Sequence, residues 1–128
     1  MSERDGLLSL NRQEARSAEA LFERMFPAGE SLAGAVEIGA VGYLDRALAG
    51  AYVGWRETYR QALAALDRAA RGRWNGEFAA GTPSAQDALI ADLERGAIPD
   101  WDAPDQRAFF ELARAHLQEG LFADPAHG

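Results

Sequence analysis

Apolar residues recur at helical spacing along almost the whole chain, and no segment alternates apolar and polar residues for long enough to form a strand. That pattern restricts the fold to packed helices, and the punctuation between the runs fixes where they begin and end. Asn11 reads as an N-cap, with Glu14 at the third helical position, where its carboxylate can return to the cap amide. Ala15, Ala18, Leu21, Phe22, Met25 and Phe26 follow as one stripe, and Pro27 stops the run. Residues 28–39, rich in glycine and alanine, read as a loop or a weak helical turn.

A second helix is expected over about Ala40–Ala49, with Val41, Leu44 and Leu48 inward and Gly50 as its C-cap. The third and longest is expected from about Ala51 to Arg73, with Tyr52, Trp55, Tyr59, Leu63, Leu66 and Ala70 on its stripe. Thr82 followed by Pro83 marks another start, since proline at the first helical position loses no hydrogen bond, and Gly96 closes that helix after Leu89, Ile90 and Leu93. A loop carrying Trp101 leads to Asp102, the expected cap of a fifth helix whose broad apolar face includes Phe109, Phe110, Leu112, Ala113, His116, Leu117 and Leu121. The prediction is an all-α, single-domain irregular bundle of about five helices over residues 1–128, with residues 1–9 flexible. The 27 alanines reinforce it, because alanine is the best intrinsic helix former.

Composition removes whole classes of function. A formal charge of −7 opposes nucleic acid, whose phosphates would be repelled. The absence of cysteine excludes disulfides, thiol nucleophiles, thiolate zinc sites, iron–sulfur clusters and covalently attached haem. No uncharged stretch exceeds nine residues, far below the ~20 that cross a bilayer, so direct membrane insertion is not expected. The sequence as written shows no export signal, and the expectation is a cytoplasmic protein, or a periplasmic one where a twin-arginine leader has been removed.

Catalytic patterns fail one after another. Gly34, Gly39 and Gly42 lack the preceding strand and spacing of a dinucleotide-binding turn. His116 and Glu119 could face a common metal ion from one helix, but bundle di-metal sites use Glu-x-x-His from two helices, whereas here the order is reversed and unpaired. A histidine on an apolar face reads more simply as a hydrogen-bonded core residue. The serines have no nucleophile-elbow context. Charge is uneven, however: residues 55–76 carry five arginines against two acids, and residues 77–128 three arginines against ten acids. The arginine-rich stretch is either a solvated helix or a docking face for an acidic partner, which aromatics such as Tyr52, Trp74, Phe78, Trp101 and Phe122 would suit if they are not core.

Several segments together resemble the gluconate 2-dehydrogenase subunit 3 family. They are Leu10-Asn11-Arg12-Gln13-Glu14-Ala15 leading to Met25-Phe26-Pro27-Ala28, GYLDRALAG over 42–50, YRQALAALD over 59–67, TPSAQDALI over 82–90, Phe109-Phe110-Glu111-Leu112, and QEGLFADPAHG over 118–128. The last is similar to the family's Glu-Gly-x-Phe-x-Asp-Pro-x-Tyr-Gly ending, with His127 where tyrosine is usual. The resemblance implies a non-catalytic small subunit that stabilises a large FAD-containing subunit of the glucose-methanol-choline oxidoreductase type. It also implies no cofactor on this chain, with FAD on the large subunit, and in some assemblies a cytochrome subunit. A free-standing helical binding or scaffold protein is the alternative.

On that footing the partner-binding residues expected here are Phe122, Asp124, Pro125 and His127, with Tyr52 and Trp101 as further docking aromatics. Pro125 cannot continue the fifth helix, so the chain must turn out of the bundle and present Phe122 to a pocket. The competing expectation is that Phe122 folds back on Phe26 or Trp101.

Overall fold

The computed structural model describes residues 6–27 and 34–123. Its helices are α1 (Arg12–Met25), α2 (Ala35–Ile38), α3 (Ala40–Leu48), α4 (Arg56–Trp74), α5 (Pro83–Arg95) and α6 (Gln106–Ala123), with 3₁₀ turns at Val53–Trp55 and Phe78–Ala80. Among the described residues there is no strand, and the all-α bundle consists of five full helices plus the single turn α2. Gly39, at φ +84°, separates α2 from α3 by a left-handed step that a side chain would resist.

The local caps act as the sequence predicts. Asn11 Oδ1 accepts the Glu14 amide at 2.8 Å while Glu14 Oε1 accepts the Asn11 amide at 2.9 Å. Thr82 Oγ1 accepts the Ala85 amide at 3.1 Å, Pro83 opens α5, and Gly96, at φ +73°, closes it. The core then forms where the stripes meet: Leu21 and Phe22 of α1, Leu44 and Leu48 of α3, Tyr59, Leu63 and Leu66 of α4, Leu89 and Leu93 of α5 and Phe109 of α6 are all buried. Each such side chain contributes on the order of 1.5–3 kcal/mol through burial. The broad face of α6 is used on two sides, against α3 and against α5.

Two buried carboxylates bind the layers together. Asp45 of α3 accepts the backbone amides of Leu8, Ser9 and Leu10 at 2.7, 2.8 and 2.7 Å. Asp67 of α4 accepts the Phe78 amide at 2.9 Å, Gln13 Nε2 at 3.0 Å and the Ser17 hydroxyl at 3.4 Å. Charge-assisted bonds of this kind offset the cost of taking a carboxylate out of water. Arg56 adds a third tie, donating from Nε to the Ser9 carbonyl at 3.1 Å and from Nη2 to Glu14 Oε1 at 3.1 Å.

Four sequence expectations are corrected. Leu8 and Ser9, expected in a flexible 1–9 segment, are held by Asp45 and Arg56. The second helix ends at Leu48 with Ala49 as its cap, ahead of Gly50. The third begins at Arg56, not Ala51, because Tyr52 donates its amide to the Ala47 carbonyl at 2.7 Å and the chain takes a 3₁₀ turn before α4. Asp105, not Asp102, caps the last helix: its Oδ2 accepts the Ala108 amide at 2.9 Å. The reason is Pro104, whose ring disfavours helical geometry at Ala103, the first helical position that a cap at Asp102 would require.

Candidate functional site

The three tyrosines of the chain converge on two residues of α6. The Tyr59 hydroxyl is 2.8 Å from His116 Nδ1, and Glu119 Oε1 accepts the hydroxyls of Tyr52 at 2.8 Å and Tyr43 at 3.1 Å. The imidazole lies nearly parallel to the Tyr52 ring at 4.7 Å and to the Tyr59 ring at 5.7 Å, and Phe109 meets Tyr59 edge-on at 5.4 Å. Burial pushes the His116 imidazole below its ordinary pKa, against a smaller opposing pull from the Glu119 charge. Burial raises Tyr59 and Tyr43, and for Tyr52 the hydrogen bond to Glu119 is the leading cause of a rise. His116 and Glu119 are thus engaged by tyrosines, and among the described residues no three metal-ligating side chains come together.

Four large apolar side chains among the described residues face solvent. Phe122 is 72 % exposed, Val53 63 %, Leu8 55 % and Trp55 43 %. Hydrogen bonds place them. Tyr52, just before Val53, reaches Glu119, and Phe122 follows Glu119 by one turn of α6. Arg56, just after Trp55, reaches the carbonyl of Ser9, next to Leu8. Because Phe122 is exposed, it does not fold back on Phe26 or Trp101.

The predicted docking residues therefore fall in different places. Phe122 is exposed, whereas Tyr52 is half-buried and committed to His116 and Glu119. Trp101 lies elsewhere, half-buried with its indole N–H donated to the Pro104 carbonyl at 2.6 Å. It borders a groove of about 320 Å³ against the C-terminal half of α4, floored by Ala65, Ala69 and Ile98. The groove is centred roughly 20 Å along α4 from the start of that helix at Arg56. Asp124, Pro125 and His127 lie outside the described residues. Of the other aromatics weighed for docking, Phe78 is core and Trp74 is half-buried over Gly81. Val53, Leu8 and Trp55 were missed: Trp55, expected on the apolar stripe of the third helix, is exposed in the 3₁₀ turn before α4, and the hint for Val53 was an apolar residue set between Gly50 and Gly54.

The segments that tie these elements, Tyr43 and Asp45 in α3 and Glu119 in α6, are those whose order along the chain suggested a family. A family model described as gluconate 2-dehydrogenase subunit 3 matches residues 12–128. The chain belongs to the gluconate 2-dehydrogenase subunit 3 family. No curated protein and no solved structure matches it. Within this subunit 3 chain, no helix among the described residues is long and apolar enough to cross a membrane.

Proposed function

We propose that this chain is the non-catalytic small subunit of a heteromeric FAD-dependent sugar or glycoside dehydrogenase, stabilising a large subunit of the glucose-methanol-choline type. Family membership supports association with other dehydrogenase subunits. The observation that supports the docking role is the exposure of Phe122, Val53, Leu8 and Trp55, with Val53 and Phe122 close in sequence to Tyr52 and Glu119 of an internally bonded tyrosine–histidine–glutamate cluster. Exposed apolar side chains of this size mark surface that a partner can cover. The groups of the cluster are bonded to one another, so their work is structural. The flavin and the redox chemistry belong to the large subunit in this reading.

Co-expression with a candidate large subunit tests it. Near-stoichiometric co-purification of a yellow complex is expected, with Phe122→Ala weakening the complex while the small subunit keeps its helicity. Failure of the unmodified chain to co-purify would refute the reading.

A further inference from the structure

A second surface carries features that the bundle itself does not use. Gly72 sits inside α4, where glycine weakens a helix, and a Cβ built there meets nothing within 4 Å. No neighbour in the described chain requires a glycine at this position. It borders the groove of about 320 Å³ floored by Ala65, Ala69 and Ile98, so the missing side chain keeps that groove open. Trp101, locked by its bond to the Pro104 carbonyl, forms the facing wall.

Charge gives the groove a direction. In this acidic chain Arg16, Arg24, Arg60, Arg73, Arg95 and Arg114 each meet a carboxylate. Arg68 and Arg71, one turn apart and exposed on the same helix, meet none among the described residues. Arg68 lines the groove and Asp100 lines the Trp101 wall, whereas Arg71 lines the neighbouring hollow with Gln13 and Arg16. A ligand filling the groove must therefore carry its negative charge on the α4 side and keep it away from Asp100.

We propose that this groove is a second docking site, occupied by a segment of the large subunit that inserts an aliphatic side chain between Gly72 and Trp101 and places a carboxylate on Arg68. The inference rests on the small-subunit reading and adds a contact roughly 20 Å along α4 from the start of that helix at Arg56. The apolar anchor supplies the buried contact, and Arg68 sets orientation and makes association salt-dependent.

Two variants test it through different physics, read as affinity for the purified large subunit across a salt series. Gly72→Leu fills the groove without touching a charge and should not lower the melting temperature, since leucine is the better helix former. It is expected to weaken binding by about ten-fold or more. Arg68→Glu is expected to weaken binding by about ten-fold at low salt and to flatten the salt dependence. Binding of both variants within two-fold of the unmodified chain, while Phe122→Ala still weakens it, overturns this site and leaves the small-subunit reading standing. Failure of the unmodified chain to bind overturns both. Light scattering on the small subunit alone closes the remaining route: a dimer that Gly72→Leu dissolves would make the occupant a second copy and overturn the assignment.

Discussion

His116 and Tyr59 share one hydrogen bond of 2.8 Å across 57 positions of sequence, with the imidazole buried and its pKa lowered by that burial. A histidine whose folded pKa lies below its unfolded value of about 6.5 binds protons more readily in the unfolded chain. Its contribution to stability is therefore complete above about pH 6.5 and declines as pH falls toward the folded value. Urea unfolding between pH 7.5 and 5 should show this decline, and His116→Gln should flatten that part of the profile. An NMR titration placing the His116 midpoint at or above 6.5 would contradict it.

The tyrosines should be anomalous at the other end of the scale. All three have pKa values raised above 10.0, so phenolate absorbance should develop later than that of free tyrosine. Glu119→Gln separates the causes. Tyr52, where the bond to Glu119 leads, should move back toward 10.0, while Tyr59, where burial leads, should hardly move.

Removing the Asp45 carboxylate leaves three backbone amides without their acceptor. Asp45→Ala is expected to cost about 3–5 kcal/mol, a large share of the ~5–15 kcal/mol that holds an ordinary domain together. Denaturant midpoints measure the loss, and hydrogen exchange should place it first at Leu8–Leu10.

Gly81 lies under the Trp74 indole so closely that an added Cβ would sit 2.5 Å from the ring. Gly81→Ala should cost about 1–3 kcal/mol by overpacking. Gly76→Ala, whose Cβ would lie 3.5 Å from the same indole, is the matched control and should change stability by less.

What was legible in the sequence was what neighbours in sequence decide. The Asn11–Glu14 box, the Thr82-Pro83 start and the Gly96 stop are short-range chemistry, and the helical period carried the rest of the architecture. Errors fell where distant groups intervene. Tyr52 has the spacing of a helix residue, yet its side chain is tied to Glu119, 67 positions away, and the chain turns before α4 instead. Leu8 and Ser9 look like a loose end until α3 supplies Asp45. Of the aromatics singled out, Phe122 is exposed, but Tyr52 is committed inward and Trp101 borders a different surface. Pattern shows which residues are aromatic, whereas exposure depends on what the rest of the chain brings alongside.

The Asp45 and Asp67 bonds also impose a schedule on synthesis. The amides of Leu8–Leu10 pair with a carboxylate 35–37 positions later, and Gln13 and Ser17 with one 54 and 50 positions later. At about 5–20 residues per second, α1 leaves the ribosome several seconds before its polar anchors exist. During that interval the Leu21–Phe22 stripe has no layer to cover it, so a translational pause before residue 67 would lengthen the exposure of the first helix to chaperones and proteases.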